Sequence, residues 1–97
     1  MNALHPGQIL KNNFMIPNGI TAYRLSKEIG IDQTRLSQII RGKRAISVDS
    51  ALRFGRFFRI SPEFWLNAQN RYDLDLFDPK VKHIIEEITP LGEPEPV

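Results

Sequence analysis

Apolar residues recur along the chain at intervals of three and four, which is the spacing of one face of an α-helix. The clearest stripe is formed by Ala22, Leu25, Ser26 and Ile29, which fall at i, i+3, i+4 and i+7. No run alternates apolar and polar residues in the way that a half-buried strand requires. The pattern therefore predicts an all-α fold of five to six helices, in a single domain over residues 1–88.

Capping residues and chain breakers set the expected helix boundaries. The predicted helices span about 6–14, 22–29, 33–41, 48–58, 62–74 and 79–88. Their expected N-caps from the second helix onwards are Thr21, Asp32, Ser47, Ser61 and Asp78. Gly30 and Gly42 are expected to end the second and third helices, because glycine tolerates the left-handed conformation found there. The tail, residues 89–97, is rich in proline and glutamate, and we expect it to be disordered.

The second and third helices, about residues 21–42, are short and joined by a glycine-containing turn, as in a helix-turn-helix. At about 100° per residue, Thr34, Gln38 and Arg41 face away from the apolar side of the third helix. This outer face carries no acid after the cap, and Gln and Arg can pair with adenine and guanine edges in the major groove. The residues expected to read bases are Gln33, Thr34, Arg35, Ser37, Gln38 and Arg41.

The charge is divided along the chain in a way that favours duplex DNA as a partner. The net charge of +2 combines +7 over residues 1–60 with −5 over residues 61–97. Directly after the third helix, Arg41-Gly42-Lys43-Arg44 places cations around a glycine turn, where they can hold phosphates without reading sequence. The residues expected to bind phosphates are Thr21, Arg24, Lys43 and Arg44.

Other kinds of site have no candidate residues in the sequence. There is no cysteine, and His5 and His83 lie at opposite ends of the chain, so we expect no metal and no cofactor. No nucleophile–base set and no phosphate-binding glycine loop is present, so we expect neither an enzyme nor a small-molecule ligand. No apolar run has the length of a signal peptide or a membrane span, so we expect a cytoplasmic protein that is not in the membrane.

Aromatic residues of the fifth predicted helix can serve either the core or a dimer interface. Such residues on a helix belong more often to packing than to a ligand site. A chain of this length gains stability from association, and we expect a homodimer. Trp65, Ala68, Gln69 and Tyr72 share one face of this helix, and Phe64 adjoins it.

The segment 22–44 resembles the helix-turn-helix of Cro/C1-type phage repressors, including the spacing of Leu25, Gly30, Leu36 and Gly42. A narrower resemblance, to HigA-type antitoxins, covers about residues 5–76. It is carried by HPGQIL at 5–10, RGKRAI at 41–46, SPEFWLN at 61–67 and YDL at 72–74. Arg59 departs from this resemblance, because a small residue, often glycine, is expected at that helix end.

The resemblance implies a lambda repressor-like bundle and the antitoxin of a type II toxin–antitoxin module. Such an antitoxin neutralises an mRNA-cleaving toxin and represses its own operon as a dimer on a palindromic operator. The resemblance also implies a dimerisation helix over about 61–77, with the interface formed by Phe64, Trp65, Ala68, Gln69 and Tyr72. One alternative is a stand-alone Cro/C1-type transcriptional regulator without a toxin. Another is a protein-interaction module that has lost DNA binding. The retained basic residues Arg41, Lys43 and Arg44 are evidence against this alternative.

Overall fold

Helices account for all the regular structure in the part of the chain that the computed structural model describes, residues 4–92. No strand occurs within these residues, so the prediction of an all-α fold is confirmed. The helices are α1 (Pro6–Ile9, continuing as a π-helix over Leu10–Met15), α2 (Ala22–Ile29), α3 (Gln33–Ile40), α4 (Val48–Phe58), α5 (Pro62–Asp75) and α6 (Pro79–Ile85). Of the tail, residues 89–92 carry neither helix nor strand, and 93–97 lie outside the described residues.

Side-chain caps determine where the helices begin, because each cap accepts a hydrogen bond from an N–H group that has no partner within the helix. At α2, Thr21 Oγ1 accepts from Arg24 N at 3.1 Å, and at α3, Asp32 Oδ1 accepts from Arg35 N at 2.8 Å. The remaining capping residues are His5 for α1, Ser47 for α4, Ser61 for α5 and Asp78 for α6. The caps expected for α2 to α6 are therefore confirmed.

Two predicted helices differ from the structure in form or length. The first continues as a π-helix, in which Ile16 N donates to Lys11 O, five positions earlier, at 2.9 Å. This wider turn leaves both Leu10 and Met15 buried. The last helix ends at Ile85 and not near residue 88, because turns replace the helical hydrogen bonds after that point.

The core lies where α4 packs against α5 and where α1 crosses α3 and α5. Trp65 and Phe54 are fully buried there, with ring centroids 5.3 Å apart. Phe14 and Phe64 add two more rings, each with its centroid 5.1 Å from that of Trp65. Leu25, Leu36 and Ile39 extend the core beneath the helix-turn-helix. The core thus fixes α2 and α3 relative to each other.

The end of α5, α6 and the residues that follow form a C-terminal arm, residues 74–91, that is not part of this core. Every residue of α6 is exposed, and α6 packs extensively against no other helix within residues 4–92. The molecule is elongated as a result, with principal extents of 55 × 28 × 22 Å. The exposed large apolar residues of the arm are Leu74, Leu76, Phe77, Val81, Ile84, Ile85, Ile88 and Leu91.

Residues 4–92 contain neither a helix that could span a membrane nor a cluster of metal-ligating side chains. The longest helix, α5, has 14 residues, and no helix within residues 4–92 combines the length and apolar character needed to cross a membrane. Over the same residues, no three His, Cys, Asp or Glu side chains come together as a possible metal site.

Candidate nucleic-acid interface

Helix α3 presents a polar face to solvent and an apolar face to the core. Leu36 and Ile39 are fully buried, which fixes the rotation of the helix. Gln33, Thr34 and Arg41 are exposed, while Ser37 and Gln38 are half-buried. These five side chains form the outer face of α3, and their amide, hydroxyl and guanidinium groups can bond to base edges.

The turn between α2 and α3 holds the two helices at a fixed angle. Gly30 ends α2 with a φ of 74°, and its N–H bonds to Ser26 O at 3.0 Å. Ile31 then enters the core, where it is 3% exposed, and Asp32 caps α3. Since Ile31 and the helix caps fix both sides of this turn, α3 is held rigidly on the surface of the domain.

Arg35, which was expected to read bases, does not lie free on the outer face of α3. Its Nη2 donates to Ser50 Oγ at 2.8 Å and lies 3.3 Å from both Ser47 Oγ and Asp49 Oδ1. Reading a base would break these contacts and leave the buried Ser50 hydroxyl with fewer partners. Arg35 instead ties α3 to the first turn of α4.

Asp49 connects the contacts of Arg35 to the turn between α2 and α3. Arg53 Nε donates to Asp49 Oδ1 at 2.7 Å, and Arg53 Nη1 donates to Ile29 O at 2.7 Å. The hydrogen bond from Arg53, with help from Arg35, holds the pKa of Asp49 below its ordinary value. The carboxylate therefore stays ionised and links α4 to both helices of the helix-turn-helix.

The loop after α3 carries the basic residues expected at phosphates. Gly42 adopts a φ of 76°, a left-handed conformation that glycine accepts at little cost. Lys43 N then donates to Gln38 O at 2.8 Å, which turns the chain sharply back over the end of α3. Lys43 and Arg44 are both exposed beside the outer face of α3.

His5 lies next to this loop, where a Cβ added to Gly42 would be 3.5 Å from the His5 ring, and the sequence did not reveal this position. Its ring is 6% exposed, its Nδ1 accepts from Gly7 N at 2.9 Å, and its centroid lies 4.8 Å from that of Tyr72. Burial lowers the pKa of His5, and the charge of Asp73 opposes this shift only in part. The neutral ring can thus cap α1 through Nδ1. The sequence signal for this capping role was a residue with a hydrogen-bond acceptor directly before Pro6.

The start of α2 supplies the other residues expected at phosphates. Thr21 Oγ1 is the cap of α2 and accepts from Arg24 N at 3.1 Å. Arg24 is exposed and forms an ion pair with Glu28, with 3.7 Å between Nε and Oε2. Such an exposed pair is weak, so it can be exchanged for a phosphate at small cost.

Two of the residues assigned to the dimer interface are wrong, because they lie inside the protomer. Trp65 is fully buried among aromatic rings. Gln69 is 6% exposed, with its Oε1 accepting from Ile46 N at 2.9 Å and its Nε2 donating to Asp73 at 2.9 Å. Phe64 is exposed, and Ala68 and Tyr72 are half-buried, so only these three have surface to offer a partner.

The fold and this outer face define a helix-turn-helix domain of the kind that binds duplex DNA. The chain matches the helix-turn-helix family over residues 13–65, and it belongs to that family. Within it, the chain belongs to the HigA-type antitoxins, which confirms the resemblance found in the sequence. Solved structures of such antitoxins are similar to it over nearly its whole length.

Three relatives illustrate this similarity. An addiction module antidote protein of the HigA family from Coxiella burnetii is 40% identical, with a TM-score of 0.82 over 93% of this chain and 99% of that one. The Pseudomonas aeruginosa antitoxin HigA, solved with the higBA promoter, is 35% identical, with a TM-score of 0.83 over 94% of this chain and 100% of that one. Virulence-associated protein I of Dichelobacter nodosus is 38% identical over 92 residues, which cover 95% of this chain and 84% of the relative.

Proposed function

We propose that this protein is the antitoxin of a type II toxin–antitoxin module, which neutralises an mRNA-cleaving toxin and represses its own operon. The observation that carries the repressor role is the acid-free outer face of α3 beside the exposed Lys43 and Arg44. The Pseudomonas aeruginosa HigA structure with the higBA promoter supports the same role. The protein acts without catalysis and in the cytoplasm, where its proposed DNA target lies.

Base reading is proposed for Gln33, Thr34, Ser37, Gln38 and Arg41, which lie on the outer face of α3. In helix-turn-helix complexes the N-terminal part of the second helix contacts the base edges in the major groove. Phosphate binding is proposed for Thr21, Arg24 and Lys43, on either side of that helix. These contacts set the register of α3 in the groove.

The C-terminal arm is proposed as the main dimer interface, in place of the buried Trp65 and Gln69. Ile84 is 63% and Ile88 67% exposed, and a helix as short as α6 is not stable alone in water. Val81, Ile84 and Ile85 share one face of α6, and the exposed Ile88 follows in the turns after it. A second copy can cover these apolar residues through a two-fold contact. Two α3 helices can then enter major grooves about 34 Å apart on a palindromic operator.

Gln38→Ala is expected to relax sequence preference and to cost about 1–3 kcal/mol on the operator, because the amide can no longer bond to a base edge. Lys43→Ala is the matched control on the adjoining loop. It should weaken binding to all duplexes alike and flatten the slope of log K against log salt by about one. Titrations of both variants with operator and scrambled duplexes measure these effects. Equal weakening of both duplexes by Gln38→Ala would remove Gln38 from the base-reading set.

The toxin partner is tested by expressing the open reading frames next to this gene, each with and without the antitoxin. One frame is expected to arrest growth, to be rescued by this protein and to co-purify with it. The −5 charge of residues 61–97 complements a basic, RNA-binding partner. The Gln38→Ala/Lys43→Ala variant should still rescue growth, since its defect is confined to DNA. If no neighbouring frame is toxic, the protein is a stand-alone regulator.

A further inference from the structure

Arg44 and Gln38 form a hydrogen-bonded pair at the edge of the outer face of α3. Arg44 Nε donates to Gln38 Oε1 at 2.9 Å. The backbone brings the two together, because Gly42 turns the chain and Lys43 N bonds to Gln38 O at 2.8 Å. Arg44, which was expected at a phosphate, thus contacts Gln38, which was expected at a base.

We propose that Arg44 is a positioning residue for base recognition, which acts on DNA through the amide of Gln38. The inference rests on the proposed DNA-binding function and adds to it how one base pair is read. It also changes the role predicted for Arg44 from the sequence, which was phosphate binding alone.

The chemistry of the glutamine amide explains why such a neighbour matters. Rotating the amide by half a turn exchanges an acceptor oxygen with an NH₂ donor of nearly the same shape. Arg44 can only donate, so an NH₂ group turned towards it would place donor against donor. The guanidinium therefore keeps Oε1 on its own side and Nε2 on the other. The order of acceptor and donor that Gln38 offers to a base edge is fixed before DNA binds.

The groups that remain free on Gln38 match adenine. Bidentate pairing with adenine needs one acceptor for N6–H and one donor for N7. Arg44 occupies one of the two lone pairs of Oε1, which leaves the other lone pair and both N–H groups available. Fixing the side chain in advance also lowers the entropy that glutamine loses on binding, which favours the matching base.

Lys43 provides the contrast within the same loop. Its ammonium group makes no hydrogen bond or ion pair within residues 4–92. It is a compact point charge on a flexible stem and makes no side-chain bond to Gln38, so it suits a phosphate and does not order that amide. Adjacent basic residues of one loop are therefore assigned different tasks.

The test compares wild type, Arg44→Ala and Arg44→Lys on duplexes from the promoter of this gene, with each base pair of one half-site replaced in turn. Arg44→Ala is expected to reduce discrimination at the base pair read by Gln38 from about tenfold to about two- to threefold, and to spare the other positions. Arg44→Lys should restore the salt dependence of binding but at most part of this discrimination, because the ammonium also donates but lacks the rigid planar geometry of the guanidinium. The Gln38→Ala/Arg44→Ala variant should discriminate no less than Gln38→Ala alone.

Lys43→Ala is the matched control, and circular dichroism melting verifies that each variant is folded. Arg44 is exposed, so its variants should melt with the wild type. If Arg44→Ala weakens all duplexes equally and keeps every preference, Arg44 is a phosphate ligand and the positioning role is wrong. If the wild type shows no preference among the duplexes, the proposed DNA-binding function itself fails, and the positioning role fails with it.

Discussion

Replacing Trp65 with alanine is expected to lower the free energy of unfolding by about 3–5 kcal/mol, which is a large share of the roughly 5–15 kcal/mol of a typical domain. The indole is fully buried and contacts rings from three parts of the chain, including Phe14, Phe54 and Phe64. Alanine would leave a cavity between α1, α4 and α5 that these rings cannot fill without moving. Loss of the Trp65 indole should also loosen α3, which packs on the same core.

Urea unfolding followed by circular dichroism measures this effect at a fixed protein concentration, because Trp65 is the sole tryptophan and its own fluorescence is lost on substitution. Trp65→Phe is the matched control. It keeps an aromatic ring and removes the indole N–H, which is buried and has no hydrogen-bond partner within residues 4–92. Its loss of stability should therefore be much smaller than that of the alanine variant. Equal midpoints for Trp65→Ala and wild type would show that this residue does not hold the core.

Helix boundaries could be predicted from the sequence because they depend on local contacts. Thr21 and Asp32 each cap an N–H group three positions ahead, so the partner is set by the chain itself. Gly30 and Gly42 have the left-handed φ values expected of helix ends. Arg59 adopts a similar φ of 61° at the end of α4 without being glycine, at a cost of about 1–2 kcal/mol. The departure from relatives noted in the sequence thus leaves the turn in place.

Side-chain partners distant in sequence could not be predicted. Periodicity put Arg35 on the flank of α3, but its bond to Ser50 depends on how α4 packs, 15 positions later. Similarly, the sequence indicated that Trp65 and Gln69 share one helix face. It could not indicate that this face packs against the core of the same protomer and not against a second copy. The apolar stripe of Val81, Ile84 and Ile85 on α6 was not recognised from the sequence. It became a candidate interface because α6 packs extensively against no other helix within residues 4–92.

Val81→Glu/Ile85→Glu is expected to convert the dimer to a monomer and to weaken operator binding by about 10²–10⁴-fold. A dimer binds its second half-site at a high effective concentration, and a monomer loses this advantage without losing any contact of α3. Both residues lie on the exposed stripe of α6, at 39% and 48% exposure, so glutamate does not disturb the helix-turn-helix. Buried in a two-fold contact, however, the four carboxylates of a dimer would be desolvated and would repel one another.

Analytical ultracentrifugation and operator titration measure the two effects on the same samples. Lys80→Glu is the matched control, because it changes the charge of the same helix by the same amount and leaves the apolar stripe intact. It should remain a dimer. Any change in its operator affinity should be small and should fade as the salt concentration rises, because the substituted charge is distant from the DNA. A double variant that stays dimeric and binds as the wild type does would move the interface away from the C-terminal arm. The exposed Phe64 and the half-buried Ala68 and Tyr72 on α5 would then be the next surface to substitute.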